Sequence, residues 1–175
     1  ADFERVVQAI TAQLGRLDGI VHAASAFLGL FPLEQESLDY WMTALRVNAA
    51  APAALTRLTL PLLRNSPDAS IVYVSETHGH AATAYWGGFS VSKHAGAFWA
   101  DIAAKEWDNQ PNLRINTLIP GPVQSPQRTK THPGEEKTSL PAIDSLLPTF
   151  LYLLGPDSRG VSGETFDCAA LARQN

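Results

Sequence analysis

The sequence predicts an α/β fold, a parallel sheet with helices on both faces. Two observations predict it. Short apolar runs recur along the chain, and a segment of helical period or good helix formers separates each from the next. The runs are continuous rather than alternating, as strands buried on both faces are. The resulting order is α-β-α-β-α-β-α-β, without an internal repeat or a shift in composition. Residues 1–175 are therefore expected to form a single domain.

The elements follow in order. In residues 2–15, DFERVVQAITAQLG, Val6, Ile10 and Leu14 lie four apart, which predicts an amphipathic helix capped by Gly15. LDGIVHAAS supplies a buried strand over 18–24. Residues 37–64 are helical, with a kink or break expected at Pro52 and Pro61. ASIVYVSE, 69–76, is the second strand, and 87–107 form a long helix. NLRINTLIPG, 112–121, is the third strand. The polar, Pro-rich stretch 122–139 is a long loop suited to a lid. A last helix starts with Pro141 in its first turn, and GVSGETFDCAA supplies a short fourth strand.

Composition narrows the classes of function. The net charge of −4 offers no basic patch for nucleic acid and no polybasic membrane signal. No apolar run reaches the roughly 20 residues of a membrane helix, and with no secretory n-region and h-region in the sequence, no leader is expected. The single cysteine, Cys168, excludes an intrachain disulfide and reads as a small apolar residue. A cytoplasmic domain of enzyme type is expected. The chain opens on Ala1 and its one methionine is Met42, so initiator removal, proteolysis or an upstream segment is expected. A four-stranded parallel sheet starting at GIVHAA has an apolar edge, so an upstream segment or a partner is expected to cover it.

Six motifs in order carry a resemblance: LDGIVHAAS, VNAAAP, IVYVSETHG, FSVSKHAG, RINTLIPGPVQS and VSGETFD. Together they resemble the C-terminal two-thirds to three-quarters of the short-chain dehydrogenase/reductase family. The resemblance implies a Rossmann-like sheet, NAD or NADP as cofactor, and hydride transfer to or from a carbonyl or alcohol substrate that the sequence does not identify. It also implies a homodimer or homotetramer formed through helices 37–64 and 87–107. The family's glycine-rich βαβ portion is absent from the 175 residues, and no Gly-x-x-x-Gly-x-Gly or Gly-x-Gly-x-x-Gly occurs.

The family's site residues carry over unevenly. Lys93 matches the lysine that lowers the catalytic tyrosine's pKa and holds the nicotinamide ribose. Asn48 matches the asparagine of the proton path. Phe89 stands in the tyrosine position and cannot exchange a proton. Glu76 stands in the serine position, with Ser75 one residue off and on the other face of the strand. Ala23, Ala24 and Ser25 follow the first strand where the family has Asn-Ala-Gly of its Asn-Asn-Ala-Gly turn. Pro120, Gly121 and Val123 match the Pro-Gly turn, and Ser125 replaces a threonine that contacts the carboxamide.

Two departures bear on activity. Without a hydroxyl at position 89, the proton donor would be Tyr85, Glu76 or water, or the protein would be an inactive relative serving as a scaffold. Glu76 is expected to face Lys93 and pair with it; as a donor it would have to hold a proton against that ammonium. Tyr85 lies in the loop before the helix, able to swing in or to form a rim. Glu76, His78 and His80 would share a face if extended, but a loop is expected there, and no metal site. His22 is expected near the adenine position, and His94 as a packed or solvated residue.

Overall fold

Two strands buried along nearly their whole length organise the molecule, seen in a computed structural model that describes residues 2–172. They are β2 (Ala69–Val74) and β3 (Leu113–Ile119), paired parallel from Ala69 opposite Leu113 to Val74 opposite Leu118. β1 (Gly19–His22) pairs parallel with β2, and β4 (Thr165–Asp167) with β3, giving the order β1-β2-β3-β4. The predicted α/β class and the four strands are borne out. β1 is an edge of this sheet, as expected from GIVHAA, and Val21 on it is exposed. Ala1 and residues 173–175 lie outside the described residues.

Alternation within β2 explains both layers. Ile71 and Tyr73 face one side, packed with Ile115 against Ala97, Ala100 and Ala103 of α4 (Gly87–Glu106). Val72 faces the other side, with Leu118 and Leu153 of α6 (Leu147–Leu154). Small residues on α4 let the helix lie close to the sheet. The closest approach is at Gly96, where a Cβ would stand 2.2 Å from the Tyr73 hydroxyl.

α1 (Asp2–Gln13) ends before Gly15, whose φ of +70° suits the expected cap. The 37–64 segment is α2 (Leu38–Leu45), a π-helical turn Arg46–Ala50 and α3 (Ala51–Arg64). The irregularity falls in the turn before Pro52, whose nitrogen carries no N–H for the Asn48 carbonyl four residues back, and α3 runs through Pro61 to Arg64. The expected irregular loop 122–139 contains α5 (Pro126–Thr131), started by the Ser125 hydroxyl accepting from Arg128 N. Pro141 does not start the last helix. A 3-10 turn over Ile143–Leu146 intervenes, and Pro148 occupies the first turn of α6. α7 (Cys168–Ala172) follows β4 directly.

Buried polar groups fix the lower half of the sheet. Arg114 on β3 is 4% exposed, and its guanidinium donates to the Asp68 carboxylate, Ser158 Oγ and the Gly155 carbonyl. Asn116 donates to the Val161 carbonyl at 2.8 Å and accepts from Glu164 N at 3.0 Å, which aligns β4.

Candidate active site

The C-terminal ends of β1, β2 and β3 open onto one cleft of about 300 Å³, the position where parallel sheets place ligands. Ala23 and Ser25 follow β1; Val74, Ser75, Glu76 and Thr77 follow β2; Pro120, Gly121 and Val123 follow β3. Gly121 has φ +72°, so the turn after β3 needs glycine there. Trp86, Phe89 and Lys93 enter from α4, and Ser125 and Arg128 from the α5 region.

Lys93 is 3% exposed. Its Nζ donates to the Val74 carbonyl at 3.0 Å, its one hydrogen bond among the described residues. The ammonium stands 5.7 Å from the Tyr73 ring centre and 6.0 Å from that of Phe89. Burial pulls its pKa down to about 8, against the opposing charge of Glu76.

Phe89 is fully buried with Trp86, Tyr40, Ala44 and Phe27, and its ring meets Phe27 edge-on at 5.1 Å. It forms an apolar wall of the cleft. Tyr85 is 58% exposed, outside the cleft lining, with its carbonyl accepting from Phe31 N.

Glu76 lines the cleft, but the expected ion pair with Lys93 does not form among the described residues. A 3-10 turn, Thr77–Gly79, folds the chain back immediately. Glu76 Oε2 accepts from His78 N at 2.6 Å, and both oxygens stand 2.9 Å from His78 Nδ1. The His78 ring stacks on Trp86, centroids 3.6 Å apart and planes 9° from parallel. The turn also keeps Glu76, His78 and His80 off a common face, and among the described residues no group of three could hold a metal.

The Ser75 hydroxyl is taken by His80 Nε2 at 3.0 Å. His94 Nδ1 bonds the Gly79 carbonyl. Asn48 is fully buried and outside the cleft lining. Its amide exchanges two bonds with the Ala26 main chain and donates to Ser92 Oγ, tying the loop after β1 to α4. Ala24 is exposed and does not line the cleft. His22 is buried against α3, its Nε2 2.8 Å from Thr56 Oγ1. Three further residues line the cleft, Thr77 within the IVYVSETHG motif and Trp86 and Arg128 outside the quoted motifs, and the sequence assigns none of them a role. Arg128 is held by a two-pronged pair with Glu135 at 2.6 and 2.7 Å, which strengthens its already permanent charge.

Residues 1–136 match the model of the short chain dehydrogenase family. The chain is similar to YciK of Escherichia coli K12, an uncharacterised oxidoreductase, at 32% identity, covering 94% of this chain and 64% of that one. It spans the same 64% of a short-chain dehydrogenase/reductase of Pyricularia oryzae, at 29% identity. A short chain dehydrogenase of Salmonella enterica serovar Typhi superposes with TM-score 0.92 at 32% identity, over 95% of this chain and 68% of that one. A structure from Escherichia coli CFT073, solved with NADPH, gives 0.90 at 32% identity, over 95% and 69%.

Proposed function

Because the chain belongs to the short-chain dehydrogenase family, we propose that it binds NAD(P) at the Lys93 cleft and is an oxidoreductase acting on a carbonyl or alcohol. The observation that carries this reading is Lys93 itself. A buried ammonium with one protein partner leaves two donors for ligand oxygens, and sugar hydroxyls suit them. The cleft volume, at the low end for small-molecule sites, fits one half of a dinucleotide.

When bound, a dihydronicotinamide supplies a hydride to a carbonyl carbon. Lys93 would hold the ribose, Ser125 the carboxamide, and the Pro120–Gly121 turn the ring's back. Phe89 and Trp86 exclude water from the reacting atoms. NADPH is the form to test first, since the relatives from Escherichia coli CFT073 and Shigella flexneri were solved with NADPH and NADP.

One observation favours a second reading, cofactor binding without turnover: Phe89 places a ring with no exchangeable proton where the family acid stands. NADPH oxidation by para-nitrobenzaldehyde separates the two. Turnover supports the oxidoreductase; binding with no turnover supports the scaffold, and Phe89→Tyr should then raise the rate.

Val91, Phe98 and Ile102 form an exposed apolar stripe on α4. The stripe supports a homodimer or homotetramer through 37–64 and 87–107. Light scattering of Phe98→Glu tests it: the assembly should dissociate, and an unchanged mass contradicts this interface.

A further inference from the structure

Glu76 and His78 have no counterpart in the family chemistry; Glu76 lines the cleft, and His78, just outside its lining, pairs with it. Their side chains are 22% and 16% exposed. The carboxylate is fixed by the His78 main chain, and the ring is fixed between that carboxylate and Trp86. Oε2 is committed to the main chain, so Oε1 is the freer oxygen of a residue that lines the cleft with Lys93. A carboxylate that holds one nitrogen of an imidazole is the arrangement that general acid–base sites use to store and orient a proton.

We propose that Glu76 and His78 act as the proton-transferring pair of this site, with His78 storing the proton and Glu76 passing it to the substrate oxygen. This rests on the oxidoreductase reading above. As a carbonyl carbon gains the hydride, its C=O pair moves to oxygen. The proton shared by His78 Nδ1 and Glu76 passes through the carboxyl to that oxygen, making the alcohol. Carboxylate and neutral imidazole remain, and solvent returns the proton to His78. Phe89 need carry no proton in this scheme.

Other charges face the pair. Lys93 comes from α4, Arg128 from α5, and His80 from the same turn.

Two readouts test the pair. In the cofactor-free protein, proton NMR should show a His78 Nδ1 proton hydrogen-bonded to the carboxylate, lost in Glu76→Gln. If the signal is absent from the wild type or survives in the variant, the pair is overturned. In NADPH-dependent reduction of para-nitrobenzaldehyde, the wild type should turn over. His78→Asn keeps a donor to Glu76 but cannot store a proton. It should lose about 100- to 10,000-fold in kcat/KM, with NADPH affinity retained. Glu76→Gln, should His78→Asn not fold, must show the same loss. Turnover that survives these variants overturns the pair alone. NADPH binding without any turnover by the wild type overturns both the pair and the oxidoreductase reading.

Discussion

The Tyr73 hydroxyl donates to the main-chain carbonyl of Asn48 at 2.7 Å, through a gap left by Gly96. The π-helical turn Arg46–Ala50 shifts the hydrogen-bond pattern of the helix and frees that carbonyl. Tyr73 reaches it from β2 beneath α4. Asn48, through its side chain, clasps Ala26 and Ser92, so one contact fixes both the bulge and the loop beside the cleft. Burial pushes the Tyr73 phenol's pKa up, which keeps it a donor.

Tyr73→Phe leaves a buried carbonyl unpaired and should cost about 1–3 kcal/mol. Gly96→Ala should cost more, because its Cβ meets both the hydroxyl at 2.2 Å and the Asn48 carbonyl at 2.7 Å. Thermal unfolding of the two variants gives the order.

Lys93 trades stability for its place in the cleft. Its value in the folded protein is about 8 against an ordinary 10.5. The unfolded chain holds the proton more tightly, so folding is penalised at neutral pH and gains as pH rises from about 8 to 10.5. Lys93→Met should therefore raise Tm at neutral pH, by about 1–3 kcal/mol of stability, and abolish the alkaline gain. It should also weaken NADPH binding. A lowered Tm at neutral pH would contradict the assignment.

His22 has the opposite pH window. Burial lowers it from 6.5 to about 4 in the folded protein. The unfolded chain therefore takes up the proton first, and stability falls as pH drops from 6.5 to about 4. The loss is on the order of 3 kcal/mol. Urea unfolding across that range should show the slope, and His22→Gln should remove most of it.

Asp68 has two cationic partners of unequal weight: Arg114, whose side chain is 4% exposed, and Arg159, 65% exposed. Asp68→Ala strands the buried guanidinium and should cost about 3–5 kcal/mol. Arg159→Ala removes an exposed partner and should cost no more than about 1 kcal/mol. Chemical denaturation of both variants checks the contrast.

Much of this was legible in the sequence. Continuous apolar runs mark β2 and β3 because both faces of each are covered, and Lys93, Phe89 and the Pro120–Gly121 turn are located by their motifs. What could not be read depends on side chains choosing among partners. Glu76 had Lys93 in prospect, but the turn at Thr77–Gly79 brings His78 nearer. Asn48 was located by its motif, which carries no sign of the Ala26 main chain that its side chain bonds. The π-helical turn lies just ahead of Pro52, so that proline marked the irregularity, whereas Pro61 is accommodated inside α3.

The most direct test of the account is NADPH titration of the protein, read by energy transfer from tryptophan to the nicotinamide ring. Trp86 lines the cleft, so transfer should be strong. The account predicts saturable binding that Lys93→Met weakens at least about tenfold, a loss of some 1.4 kcal/mol. Absence of saturable binding to the folded protein, or binding that Lys93→Met leaves unchanged, would contradict it.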